Sequence, residues 1–370
     1  MFSRFALNTL RGTRTALPSS TRSYASSAAP SSSISHLAPY VLGAGLVGGG
    51  VYYYTQQNGG ALRADEQAKA GTARGGALGA GSGGADIQGT EATKDGVKVE
   101  GESALSPDEF RSFKIVEVIP YNHNTSRFVF ALPEGTSSGL TVASALVCKA
   151  AQEGEGLNDK GKPIIRPYTP VTAPDVVDKL ELLIKHYKGG AFTEYLWKLK
   201  PGDSIAMKGP IPKHPWKPNQ YESVAMIAGG SGITPMWQVL QAIDANPEDK
   251  TKATLIFSNV TEEDILLRKE FEDLAAKKPA QFKIVFTLDQ PPKNWNGPTG
   301  YVSDKVITEA LKDFGTTPDK GEKVKIFVCG PPGQVKAVSG PKKSMKEQGP
   351  LDENSVLKKL GYSAEQVFRF

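Results

Sequence analysis

The chain has 370 residues, more than one usual hydrophobic core holds, so two domains and additional segments are expected. A net charge of +5, with Lys and Arg scattered rather than interleaved with aromatic residues, argues against a nucleic-acid groove and leaves an acidic protein partner open. Two distant cysteines, Cys148 and Cys329, and four histidines without ligand spacing argue against a disulfide framework and a metal site.

Segment 1–36 carries Arg4, Arg11, Arg14 and Arg22 among many serines, and the first acidic residue is Asp65. That composition predicts a mitochondrial targeting segment, with an ordinary basic tail as the alternative. Segment 37–54, LAPYVLGAGLVGGGVYYY, is uncharged and close to the ~20 residues that span a bilayer. Tyr52, Tyr53 and Tyr54 suit a membrane interface, and Gly45 and Gly49 suit helix packing, so a single transmembrane helix is expected despite Pro39 and five glycines. Segment 55–105 is rich in Gly, Ala, Thr and Ser and too poor in aromatic residues to offset its ordering entropy, which predicts a flexible linker.

From 106 to 219 short alternating runs (FKIVEVIPY, SRFVFALP, TVASALVCKA, PIIRPYTPVT, KLELLIKHY) are separated by Gly, Asn and Pro turns, the pattern of an antiparallel β-barrel. From 220 to 370 the order becomes strand VAMIAGG, helix, strand ATLIFSN, helix DILLRKEFEDLAA, strand FKIVFTL, helix VSDKVITEALKDF and strand KVKIFVCG. Such alternation predicts a parallel, helix-flanked sheet of Rossmann-like type.

Four stretches carry chemistry. Residues 223–236, SVAMIAGGSGITPM, place Gly229, Gly230 and Gly232 between a strand and a helix that Pro235 opens, a variant dinucleotide turn whose bland alternative is a plain connection. Residues 166–170, RPYTP, put a cation, a flat aromatic and a hydroxyl at a strand end. Lys185 and Tyr187 share a strand face, and Gly189 to Thr193 lead into TEYLWKL, either an anion-binding helix start or a loop that Thr193 merely caps. FVCGPPG puts Cys329 at a strand's carboxyl end, where ligands of parallel sheets bind, or where a small buried hydrophobe would equally fit.

The ordered set RPYTP, HYKGGAFT, GGSGITPM, TEEDILLRKE and CGPP resembles the ferredoxin reductase-like flavoenzymes, and within them the NADH-cytochrome b5 reductase branch, over about 106–370. The resemblance implies a six-stranded FAD barrel, a nucleotide domain, and hydride transfer from NADH to FAD. It implies FAD contacts at Arg166, Tyr168, Thr169, Lys185 and Tyr187, a pyrophosphate loop at Gly190, Phe192 and Thr193, and catalytic placement of Thr169, Lys185 and Cys329. It puts NADH against Gly230, Ser231, Gly232, Thr234, Gly330 and Pro331, links Asp264 to the choice of NADH over NADPH, and places His123 near the flavin network. Cytochrome b5 or a similar acidic haem protein is the expected partner of a monomer in the mitochondrial outer membrane, with a cleaved form in the intermembrane space. Lys208, Lys213, His214 and Lys217 form a candidate docking loop for it, or a solvated connection. A same-fold reductase for a quinone or iron-sulfur acceptor, or a flavin scaffold without turnover, are the alternatives. Ser231 stands where many members have Thr, Gly333-Gln334 where Pro-Met is common, and Ala191 where Lys is frequent.

Overall fold

The computed structural model describes residues 103–370. The expected targeting segment (1–36), transmembrane helix (37–54) and nearly all of the linker (55–105) lie outside the described residues. Among the described residues no helix is long and apolar enough to cross a membrane.

Six strands, β1 (Arg111–Asn122), β2 (Thr125–Ala131), β3 (Ser144–Ala150), β4 (Arg166–Tyr168), β5 (Lys179–Lys185) and β6 (Ser204–Pro212), form one antiparallel sheet in the order β4-β3-β6-β1-β2-β5. Alternation turns Phe128 and Phe130 of β2 and Leu180, Leu182 and Ile184 of β5 into a common core, where Phe192 and Leu196 of the short helix α1 (Ala191–Leu196) join them. The two outer strands are linked just beyond β4. There Val171 N–H donates to Glu181 O at 3.0 Å, and Glu181 N–H donates to the Thr172 hydroxyl at 2.6 Å. Strand β6 lacks a clean alternation in sequence, because Gly209 and Pro210 interrupt its pattern, yet its pairing with β3 and β1 ties the sheet together.

The second sheet is parallel: β7 (Ser223–Gly229), β8 (Lys252–Asn259), β9 (Phe282–Leu288), β10 (Val324–Cys329) and β11 (Val367–Arg369), in the order β11-β10-β7-β8-β9. Every residue of β7 is buried, as expected of a central strand covered on both faces. Val224, Met226, Ala228, Leu255 and Phe257 point to the side of α2 (Ile233–Ala245) and α3 (Arg268–Lys277). Ala225, Ile227, Ile256, Ile326 and Val328 point to the side of α4 (Asp304–Leu311), α5 (Pro332–Ser339) and α6 (Val356–Lys359). Helix α3 starts at Arg268, not at Asp264 as the run DILLRKEF suggests. Leu267, left-handed at φ 55, breaks the helix so that Ile265, Leu266 and Leu267 can all enter the core.

At the last strand the fully buried Arg369 guanidinium donates to the carbonyls of Ser339 (2.8 Å), Gln348 (2.8 Å) and Pro350 (3.0 Å). In return the Gln348 side chain accepts from Arg369 N–H at 2.8 Å and donates to Arg369 O at 3.0 Å. Phe370 packs on Phe327 with ring centroids 5.7 Å apart.

The two sheets share a core. Ala143, Val171 and Leu183 of the first sheet's segment pack with Ile233, Met236 and Leu240 of α2. Within this apolar contact the Gln238 amide accepts from Ser144 N–H (3.1 Å) and donates to Pro170 O (3.1 Å), while Trp237 Nε1–H donates to Val171 O (3.2 Å). Replacing Gln238 by Leu keeps the volume but leaves Ser144 N–H and Pro170 C=O buried and unpaired, at about 1–3 kcal/mol each. Thermal unfolding of Gln238→Leu should therefore begin several degrees lower than that of the unsubstituted protein; an equal melting temperature would refute this role.

Candidate active site

The crevice at the carboxyl ends of β7, β8 and β10 is where ligands of parallel sheets bind. Strand β7 runs into a single 3-10 turn, Gly230–Gly232, and α2 follows directly. Gly230 has φ 51, open to glycine at little cost, and a Cβ on Gly232 would lie 2.5 Å from Cys329 O, so the turn rests on the backbone end of β10. Pro235 is the third residue of α2, not the first as expected. Its missing N–H is still one of the first-turn donors that have no helical partner. Thr234 is tied inward, its hydroxyl donating to Ser231 O at 3.3 Å. Cys329, Gly330 and Pro331 lead from β10 to α5, where Pro331 is the N-cap. Burial pushes the Cys329 thiol up to about 11, which favours its protonated form at neutral pH.

On the other wall stand the residues of the first sheet. Arg166 and Tyr168 are half-buried on β4, and Thr169 follows, fixed from behind because the next carbonyl, Pro170 O, is held by Gln238. Tyr168 lies with its ring 6.2 Å from that of Phe192, and burial raises its phenol pKa, so it is neutral. No side chain caps α1 at Gly190. A Cβ there would meet Tyr187 O at 2.9 Å and Thr193 Oγ1 at 2.6 Å. The Thr193 hydroxyl is 3.1 Å from Tyr187 O and 3.0 Å from Gly190 O, so it braces the loop and leaves the backbone N–H groups of the first turn as the anion donors.

Several side-chain contacts join the walls, two of them at the crevice's centre. The Tyr187 hydroxyl and Ser231 hydroxyl are 2.9 Å apart. Lys185 Nζ donates to Asp264 Oδ1 at 3.0 Å. Asp264 is only 6% exposed, and its second oxygen accepts from Thr261 N–H (3.2 Å) and Thr261 Oγ1 (2.9 Å), closing a capping box. Asp264, linked in the sequence to the choice of NADH over NADPH, has its carboxylate bound here to Lys185 and to the Thr261 turn. Lys185, the residue expected on the flavin, pairs with this carboxylate across the crevice. His123 stands 3.8 Å from the same carboxylate and 2.8 Å from Asn124 Nδ2. The carboxylates exposed at this edge are Glu263 and Asp289.

The docking loop also needs correction. His214 is turned inward among Tyr221, Phe327 and Phe368, and burial takes its pKa down to about 4. Lys213 is half-buried with a lowered pKa, and Lys208 Nζ donates to Asp108 O at 3.0 Å, which leaves Lys217 as the exposed cation of the four.

Sequence models of an oxidoreductase FAD-binding domain and an oxidoreductase NAD-binding domain match residues 112–216 and 226–340. A relative from Mycosarcoma maydis named NADH-cytochrome b5 reductase 2 is 51% identical over 273 residues, 74% of this chain and 75% of that protein. The chain belongs to the NADH-cytochrome b5 reductase family. Another member, from Coccidioides immitis, is 41% identical over 372 residues and is matched along 100% of both chains. The cytochrome b5 reductase domain of Ulva prolifera nitrate reductase superimposes with a TM-score of 0.61 at 28% identity, covering 73% of this chain and all of that one. FAD and NADH are the cofactors of this family member. The residues present fit both. A cation, an uncapped helix start and two neutral tyrosines suit a flat cofactor with an anionic bridge. The glycine turn and the orphaned amide atoms of Gln334 and Asn259, which have no hydrogen-bond partner among the described residues, suit a dinucleotide.

The Asp264 carboxylate generates a pH prediction. Burial raises its pKa, but the hydrogen bond and charge of Lys185, with Thr261, outweigh burial and bring it below its ordinary 3.8. The stabilisation is then complete above that ordinary value and is lost as pH falls through the lower folded value. Asp264→Asn should melt at lower temperature than the unsubstituted protein at pH 7, with the gap closing below pH 3.8, and should leave the NADH to NADPH ratio of kcat/KM unchanged. A changed ratio would give Asp264 the nucleotide-reading role.

Proposed function

We propose that this chain passes electrons from NADH through FAD to cytochrome b5, acting as a monomer anchored in the mitochondrial outer membrane by residues 37–54. The observation that carries the reading is the hydrogen bond between Tyr187 and Ser231, because it puts the flavin wall and the nicotinamide-nucleotide turn within one side-chain contact of each other. FAD, when bound, supplies the conversion of a two-electron hydride donor into single electrons.

The chain's own residues do the positioning. Arg166 and the first turn of α1 hold the anionic bridge of FAD, and Tyr168 and Tyr187 bound its ring system. Gly230, Ser231 and Gly232 bring the NADH backbone close, and Thr169, fixed through Pro170 and Gln238, keeps the flavin edge in register with that turn. Glu263 and Asp289 would repel a 2′-phosphate, which supports NADH over NADPH. For the anionic bridges and the 2′-phosphate the reason is local charge: a cation and N–H dipoles would meet the bridges, and carboxylates would meet the ribose edge.

Anaerobic NADH added to the FAD-loaded protein should bleach the flavin spectrum, and subsequent cytochrome b5 should restore it; a spectrum that NADH does not change would make the protein a flavin scaffold. Restoration by a quinone or an iron-sulfur protein, but not by cytochrome b5, would identify the alternative acceptor.

The location rests on the arginine-rich, acid-free leader and the apolar segment behind it. Full-length protein should fractionate with mitochondrial outer membranes and resist carbonate extraction, and a chain lacking residues 1–54 should do neither. Cytosolic recovery of the full-length chain would end that part of the proposal.

A further inference from the structure

We propose that Gln334 is a nucleotide-reading residue, its side-chain Nε2–H donating to an oxygen of the diphosphate or ribose of bound NADH. The inference rests on the reading of the β7 turn as the NADH site and adds to it a contact that the glycine motif does not contain.

Gln334 is the third residue of α5, the helix that follows β10. Its Oε1 accepts from the Ser258 hydroxyl at 2.9 Å, and that hydroxyl also lies 3.1 Å from Ala228 O. Ser258 and Ala228 are the penultimate residues of β8 and β7. The amide is therefore clamped across the carboxyl ends of three neighbouring strands, directly over the crevice. Glycines make room for it: a Cβ on Gly229 would collide with Gln334 Oε1, and one on Gly330 would stand 3.2 Å from it.

One arm of the amide is thus fixed, and the other is left over. Nε2 is buried and has no hydrogen-bond partner among the described residues. A primary amide carries two N–H donors, and shielding them from water without an acceptor is costly, so such a group in a native protein calls for an explanation. A methionine would fill nearly the same space with no donor to satisfy. The crevice that the amide overlooks is the place where a dinucleotide lays its phosphate and ribose oxygens. These are acceptors, two of them charged, and a hydrogen bond to a charged group is worth about ten- to a hundredfold in affinity. Ser258 then acts one step behind, as a positioning residue that aims the amide.

The test uses the full-length, FAD-loaded protein and the variants Gln334→Met, Gln334→Glu and Ser258→Ala. Three quantities are measured: NAD+ affinity by fluorescence titration, KM and kcat for NADH with ferricyanide, and the melting temperature without nucleotide. Gln334→Met should weaken NAD+ binding about tenfold and raise KM more than it lowers kcat, while the nucleotide-free protein melts no lower than the parent. Gln334→Glu, which keeps the shape and aims a carboxylate at the phosphates, should bind more weakly still. Ser258→Ala should show a smaller loss of affinity. Parental NAD+ affinity in Gln334→Met would overturn the proposal, and so would a loss of affinity that merely tracks a lowered melting temperature. If the parent itself bound no NAD+, the NADH site would fall, and this residue's role with it.

Discussion

Hydride transfer requires two flat rings to meet face to face, so everything in this molecule depends on how the flavin sheet is held against the nucleotide sheet. The holding group is the amide of Gln238. Buried in an apolar contact, it cannot exchange partners with water, and it binds one N–H of β3 and the carbonyl that directly follows Thr169. A purely hydrophobic interface would tolerate sliding, because burial is roughly proportional to area and has no direction. Hydrogen bonds in a low-dielectric interior are directional and costly to break, so they set the register of one sheet on the other. Trp237 to Val171, Tyr187 to Ser231 and Lys185 to Asp264 repeat the device along the same line.

That line explains why some sequence readings held and others did not. Strands β2 and β5 and the parallel strands β7 and β8 were legible because burial on one face leaves a period of two, and burial on both faces leaves an unbroken apolar run. The start of α3 was not, because three consecutive leucine and isoleucine side chains fit a helix pattern equally well until tertiary packing draws all three inward. The ion pair of Asp264 is not legible in the sequence for a related reason. Its neighbours in sequence are acidic and exposed-looking, but its partner Lys185 lies 79 positions away on another sheet, and no local pattern reports such a pair. The glycine turn and the CGPP segment stand out in the sequence because close backbone approach demands particular residues in a fixed order, and the RPYTP stretch because it sets a cation, an aromatic ring and a hydroxyl side by side. Gln334 was visible only as a departure from a common motif, with no sign of what its amide would touch.

Charge followed the same division. Lys213 and His214 read as surface cations in a Pro-rich connection, yet the connection runs along the edge of the second core and takes His214 into an aromatic cluster. A neutral histidine there packs as an aromatic ring. Net charge and pI describe what a molecule attracts at a distance, whereas the orientation of each side chain is decided by the few ångströms of packing beneath it.

The pairing of Gln348 with Arg369 bears on self-association. Strand β11 is the outer strand of a parallel sheet, and an outer strand with open N–H and C=O groups invites another polypeptide to add to it. Here the Gln348 side chain takes both groups of Arg369, and Ala364 O takes Val367 N–H at 3.2 Å. A single glutamine thus pairs with Arg369 as a neighbouring strand residue would. On this side of β11 the Arg369 N–H and C=O and the Val367 N–H are held by side-chain and loop hydrogen bonds within the chain, so these groups are not open to an added strand.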